Sequence, residues 1–334
     1  MGKFLKKHKK INYLQKTVRR LKNKQFVEDV LAMDKSPSYV KICNQEKADG
    51  RLIYVAKTMG CDGFFAELRF VLHELYFAKK FGFIPVITMS KNSSYAEINP
   101  INGTENPFEY YFKPVSEIDY RKAETEYAYV RHNWIQRKQI EIDTGMIENN
   151  YKITDAYMST MANIVRENLR YNDPTKTYLD NSVATIKDKK MLGVHVRGAD
   201  FKRGYQNHPF MVTVDEYLEI AKEQFYKGEF DGIFLATDDL SAIQKFSKEF
   251  GEKLFYFDDV VRTDGDETVM KSESSRENHH YKLGLEVIRD MNTLSLCDGL
   301  IAGMSNVSIF ARILKLSRNQ EYSYLNVIDK GIKQ

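Results

Sequence analysis

Four short apolar runs in the second half of the chain, MLGVHV, GIFLAT, KLFYF and GLIAG, restrict its fold more than any other feature. Each is too short for an ordinary helix, and almost every position is apolar. That is the pattern of a strand covered on both faces. The segments between them carry helical spacing. VDEYLEIAKEQFYK lines up Tyr217, Ile220, Ala221, Gln224 and Phe225 on one side, and LSAIQKFSKEF, YKLGLEVIRDMNTLSL and SNVSIFARILK also read as helices. Strands alternating with helices at this rhythm predict a parallel sheet with helices on its faces.

The first half shows the same pattern once. Leu52 to Val55 reads as a buried strand, residues 58–63 as a loop holding Gly60, Asp62 and Gly63, and FFAELRFVLHELYFAKK as a helix. FIPVIT is the next strand. The loop lies at the carboxyl end of its strand, the edge where open α/β sheets bind ligands. Its spacing is not G-x-G-x-x-G, and glycines that need positive φ in a tight turn explain it equally well. Residues 95–135 read as loop plus a short helix, and residues 151–171 as a helix. Pro174 is expected to break that helix and mark the approach to a second domain. With 334 residues, two cores are expected rather than one. The expected class is α/β, with two Rossmann-like domains of parallel sheet facing each other across a cleft. The expected divisions are a basic amphipathic helix over residues 1–25, a first domain over 26–185 and a second over 186–334.

Charge is unevenly placed. Net charge is +4, yet between Lys3 and Lys24 there are ten Lys or Arg and no acid, so the remainder is slightly acidic. Phe4, Ile11, Leu14, Val18 and Leu21 recur there at helical spacing. Residues 1–25 are either a peripheral anchor on anionic lipid or a solvated basic helix. No nucleic-acid-binding motif accompanies the charge. Cys43, Cys61 and Cys297 are few and widely spaced, which predicts a reducing compartment. No apolar run is long enough to span a bilayer. The expected location is cytoplasmic, free or on the inner face of the membrane.

The polar residues worth weighing cluster at strand ends. His195 and Arg197 alternate with Val194 and Val196 in LGVHVRGADF, with Asp200 just beyond. Arg197 is either half of a salt bridge to Asp200 or Asp238, or a fixed cation whose fork suits phosphate oxygens. Ser305, Asn306 and Ser308 open a helix directly after GLIAG, where cap residues and orphan N–H groups can hold an anion. Asp290 is either a solvent-facing acid or an acceptor for two adjacent donors on a guanine edge. Asp238-Asp239 and Asp264-Gly265-Asp266 carry the oxygen ligands of a cation site, or simply solvated loop acids. His279-His280 has no partner at ligand spacing and suits an acceptor-side contact better than a metal.

The C-terminal half resembles the fucosyltransferases, above all the alpha-1,6 group that includes core fucosyltransferases and bacterial nodulation enzymes. Three motifs carry this. HVRGAD at 195–200 is similar to the family's H-x-R-R-x-D, and FLATDD at 234–239 also matches. DMNTLSLCDGLIAGMSNVS at 290–308 is similar to D-x-x-x-L-S-x-x-D…S-S without a gap. His208-Pro209 with VDEYL, and the loop GCDGFF, also look like family material. The resemblance implies a GT-B fold, GDP-fucose as sugar donor, inverting transfer, and no cofactor or required metal. It implies that His195 and Asp290 lie near guanine and ribose, and that Arg197 holds the β-phosphate. Ser305 and Asn306 would complete the diphosphate site, with Asp238, Ser308, Gly60 and Gly63 around the nucleotide sugar. The acceptor would be an oligosaccharide or lipid-linked glycan, as in polysaccharide biosynthesis.

The chain departs from that pattern at Gly198, where the family has a second Arg, and at Phe201, where it has Lys. The acid expected a few residues later is missing from FKRGYQN. Glu67, in the first turn of its helix, is the candidate base, or else an acid favoured there by the helix dipole. Asp200 is the reserve. Three other functions stay open: a GT-B transferase using another nucleotide sugar, a metal-dependent transferase or phosphohydrolase built on the acidic pairs, and a non-catalytic sugar-nucleotide sensor.

Overall fold

The apolar runs are strands, and every pairing between them is parallel. The computed structural model describes residues 53–58, 60, 63–126, 129–130, 134–147, 152–197, 208–262, 269 and 274–333. The basic stretch 1–25, Gly198, Asp200, Phe201, Asp264 and Asp266 lie outside the described residues.

In the first sheet β1 (Ile53–Lys57) lies between β2 (Ile84–Thr88) and β3 (Tyr129–Val130). Helix α1 (Phe64–Phe81) joins β1 to β2 and stops at Gly82, whose φ of 71° only glycine adopts freely. Helices α2 (Tyr120–Glu126), α3 (Trp134–Thr144) and α4 (Asp155–Asn168) follow. Side-chain alternation on β1 sends Tyr54 and Ala56 toward α1, and Ile53 and Val55 toward Ala123 of α2.

The second sheet contains β4 (Met191–Val196), β5 (Gly232–Thr237), β6 (Leu254–Phe255), β7 (Gly299–Gly303) and β8 (Tyr324–Ile328), in the order β6-β5-β4-β7-β8. Strand β8 is an edge strand and only partly covered, with Leu325 exposed. Helices α6 (Val214–Phe225) and α7 (Leu240–Phe250) cover one face, where Leu192, Val194, Val196, Ile233, Leu235 and Ile301 point. Helices α8 (His279–Leu296) and α9 (Asn306–Ser317) cover the other.

Pro174 is not what ends the preceding helix. Helix α4 has already ended at Leu169, and the proline lies in the first turn of a further helix, α5 (Asp173–Ser182). A proline there loses no hydrogen bond, and the Asn172 side chain caps the turn by accepting from the Thr175 N–H. Helix α5 packs on α8, and α9 packs on α4 and α1. One apolar cluster therefore runs from Tyr54 and Leu72 beside the first sheet to Phe234 and Leu300 in the second. Among the described residues, no helix is long and apolar enough to cross a membrane.

The first half also grips the start of α8. The Tyr281 N–H donates to Glu97 (2.9 Å), and Tyr111 stacks on Tyr281 and donates its hydroxyl to the Tyr281 carbonyl (3.0 Å). Gly284 makes this approach possible, because a Cβ there would collide with the buried Tyr111 ring and hydroxyl. Gly284→Ala in a helix interior would ordinarily stabilise by about 1 kcal/mol. Here overpacking should outweigh that by enough to destabilise the protein, by about 1–3 kcal/mol. Urea unfolding checks this, and a raised midpoint would contradict it.

Candidate functional site

Strands β4, β5 and β6 step toward one edge of the sheet, and β7 and β8 lie on the other side of β4. The order reverses between β4 and β7, and ligand crevices in open α/β sheets form at the carboxyl ends of such neighbours. His195 is in register with Ala302 of β7 there, and is buried. It lies on the strand face that carries α8 and α9. Gly193, on that same face, lets Leu294 and Cys297 at the end of α8 come close to the strand. Arg197 is the next residue beyond β4. It is close enough to act electrostatically on Tyr217, whose hydroxyl bonds the Gly303 backbone at the end of β7. Burial is the main cause raising the Tyr217 hydroxyl pKa.

Helix α9 begins here with a full capping box. Ser305 Oγ accepts from the Ser308 N–H (3.1 Å), and the Ser305 N–H donates to Ser308 Oγ (3.3 Å). Ser305 Oγ also meets His195 Nδ1 at 3.3 Å, which ties the cap to β4. Ser308 is committed to the cap, since its hydroxyl donates to the Gly303 carbonyl at 2.8 Å. The N–H groups of Asn306 and Val307 are those that helix geometry leaves for a ligand.

Asn306 is held from the other half of the chain. Arg69 of α1 donates from Nη1 to Asn306 Oδ1 (2.5 Å) and from Nε to the Tyr157 hydroxyl of α4 (3.2 Å). The same Tyr157 hydroxyl meets His73 Nε2 at 3.0 Å. Burial, then the nearby charges of Arg69 and Arg137, push the His73 pKa well below its usual value, so the ring is neutral. Sequence reasoning missed Arg69. The available signal was an arginine beside Leu68 and Leu72 on a helix with a buried face.

Asp290 of α8 is not solvent-facing. It keeps some exposed surface, yet lies deep enough for desolvation to push its carboxyl up to about 7. Glu286 and Asp238 raise it further, and Arg289 and Arg262 oppose them. Asp238, at the end of β5, therefore shares a field with Asp290. Arg262 bridges the neighbouring loop by donating to the Thr237 carbonyl (3.2 Å) and the Phe257 carbonyl. Arg289 pairs with Asp259 and lies over the Phe257 ring, 3.9 Å from its centroid. These arginines surround Asp290 without being paired to it by a hydrogen bond.

In the first half, Gly60 has φ +76° and is pressed against Ser90 and the Ser93 N–H, so only glycine fits. Gly63 differs from the positive-φ expectation. It is the extended N-cap of α1, with φ −64°, and a side chain there would meet open space. Glu67 lies one turn in, at 1% exposure, and accepts from Thr58 Oγ1 at 2.6 Å. It is thus at the carboxyl end of β1 but enclosed. Asp239 is used as the cap of α7, accepting from the Ser241 N–H (2.8 Å). His280 Nδ1 meets the Ser94 carbonyl at 2.9 Å, a contact between the two halves. Among the described residues, no three His, Cys, Asp or Glu side chains converge as metal ligands.

No protein-family model and no curated protein matches the chain. Among solved structures, fucosyltransferase NodZ from Bradyrhizobium is 14% identical, with 79% of this chain and 92% of that one covered and a TM-score of 0.44. NodZ alpha-1,6-fucosyltransferase soaked with GDP-fucose gives 14%, 79% and 93%, with a TM-score of 0.46. POFUT1 in complex with GDP-fucose gives 13%, 82% and 97%, with a TM-score of 0.45. Similarity at that level assigns neither fold nor activity.

The Asp290 environment has a consequence for stability. Below pH about 4 the carboxyl is protonated in both folded and unfolded chains. From there to pH about 7 the unfolded chain ionises while the folded one keeps its proton, so stability falls across that window. Asp290→Asn should therefore be more stable than the wild type at pH 8, and the gap should close toward pH 4. Urea midpoints at the two pH values measure it, and an equal gap at both would contradict it.

Proposed function

We propose that the chain is a GT-B glycosyltransferase that moves a sugar, fucose, from a GDP-sugar to a hydroxyl of a glycan or lipid-linked glycan. The observation that carries this is the contact between His195 and the Ser305 cap at the strand-order reversal, with Arg197 beside it. A fixed cation next to a capped helix N-terminus suits a diphosphate, whose charge grows as it leaves. Arg197 and the Asn306 and Val307 N–H groups stabilise that leaving group. His195 holds the cap in place from β4, and Ser308 holds it from within.

Asp290 supplies the base preference. Its carboxylate is costly to keep desolvated, and guanine's N1–H and N2 amino group would offset that cost with two donors. Asp238, whose charge acts on Asp290, contacts the same nucleotide in this proposal. Of the acidic pair at the end of β5, Asp239 is spent on a helix cap, which favours nucleotide contact over a metal site.

In the transfer, the acceptor oxygen bonds to the anomeric carbon as the bond from that carbon to the β-phosphate oxygen breaks. The proton from the acceptor hydroxyl passes to a carboxylate. The sugar goes through an oxocarbenium-like state, so stabilising the leaving group is a large share of the work. Glu67, at the end of β1 beside Gly60 and Gly63, is the base in this proposal, with Asp200 in reserve. The basic stretch of residues 1–25 would bring a lipid-linked acceptor to the site on an anionic membrane face.

GDP should raise the melting temperature more than IDP, which lacks the N2 amino group, and UDP and CMP should have little effect. Stabilisation by UDP and not by GDP would sink the sugar-donor assignment. Arg197→Ala should lower GDP-fucose turnover by about 100-fold or more. Wild-type-like turnover would remove Arg197 from the phosphate site. Glu67→Gln should lower kcat and flatten the acidic limb of the pH–rate profile. A variant with that limb intact would show Glu67 to be a structural acid and move the base role elsewhere.

A further inference from the structure

We infer that Arg69 is a positioning residue for the nucleoside diphosphate, acting across the two halves of the chain by fixing which way the Asn306 amide points. This rests on the donor site proposed above. Asn306 is the first residue of α9, beside the Ser305 cap. An asparagine amide has an acceptor end and a donor end, and rotation exchanges them. Arg69 decides between them, because a guanidinium has five donors and no acceptor. The amide atom 2.5 Å from Nη1 must therefore be the oxygen. The Nδ2 group is then directed away from Arg69 and adds two donors to the N–H groups at the start of α9. Without Arg69 the amide is free to turn its oxygen toward the phosphates, which would repel them.

Arg69 is itself rigidly placed. It is 3% exposed, its Nε donates to the Tyr157 hydroxyl, and its guanidinium lies 5.8 Å from the Tyr157 ring centroid. Tyr157 is fully buried and in turn held by His73. The arrangement runs from α1 and α4, which belong to the first sheet's half, to the N-terminus of α9 in the second. The diphosphate site is therefore complete only when the halves are docked. Because α1 follows the loop at the end of β1, the same helix that carries Glu67 also orients a phosphate donor group. None of the motifs that carry the family resemblance includes Arg69.

Variants at Asn306 and Arg69 test this by calorimetric titration with GDP and by steady-state kinetics with GDP-fucose. Asn306→Asp keeps an oxygen for Arg69 and should fold at least as stably, but it replaces the Nδ2 donors with negative charge. Its Kd for GDP should rise about 10- to 100-fold, the range for losing a hydrogen bond to a charged group. Arg69→Met should raise the Kd for GDP and the KM for GDP-fucose several-fold while changing kcat less, a split that a general loss of stability would not produce. Arg69→Lys, which also only donates, should recover part of that loss. Combined with Asn306→Ala, Arg69→Met should add almost nothing to the Kd, because both act through one amide. Full additivity, or GDP affinity unchanged in Asn306→Asp, would overturn the inference while leaving the donor site intact. A wild-type chain that binds no GDP would overturn both.

Discussion

Everything proposed for this protein depends on the parallel pairing of β4 with β7. That pairing sets two chain segments more than a hundred residues apart in register, so that His195 stands opposite Ala302 and within reach of Ser305. The cap then does two things with one hydroxyl: it closes the Ser308 N–H and touches the imidazole. The helix start is thereby fixed to the strand that carries the cation. A diphosphate site needs that rigidity, because helix N–H groups stabilise developing charge only if they are already aimed at it.

A second constraint comes from α1, which buries four titratable side chains in two stripes. Glu67 and Glu74, seven residues apart, face β1, where Thr58 and Tyr54 donate to them. Arg69 and His73, four apart, face Tyr157. Each stripe follows from helical periodicity. Burying such groups is costly unless they are hydrogen-bonded, and each of the four has a bonding partner. The helix thus connects the first sheet to the start of α9 through polar contacts, while Phe65 packs against Phe310 of α9 alongside them. On α8, Asp290 is an acid whose ionisation is opposed by desolvation and helped by Arg289 and Arg262.

Much of the second half was legible in the sequence, because a buried parallel strand and an amphipathic helix leave periodic signals. MLGVHV, GIFLAT and GLIAG became strands, and Ser305 became the cap that its place after GLIAG implied. Pro174 misled because a proline that ends one helix also suits the first turn of the next. Strand β8 was passed over although four of its five residues are apolar, because Asn326 interrupts the run at a sheet edge. Gly60 behaved as a turn glycine and Gly63 did not, a difference that depends on backbone angles which two identical letters cannot show. Arg69 was invisible for a different reason. Its partner Asn306 lies 237 residues away, and no local pattern announces a contact between the two halves. Ser308 was half-legible: the residue type suited an anion site, but its hydroxyl serves the cap instead.

A nucleoside diphosphate is proposed to bind where β4 and β7 end and α9 begins. Hydrogen–deuterium exchange with and without GDP tests it most directly. GDP should bring new amide protection to the peptides covering residues 191–197 and 303–308, with little change in residues 63–70. Protection confined to 63–70, or no change at 303–308 with GDP bound, would contradict it.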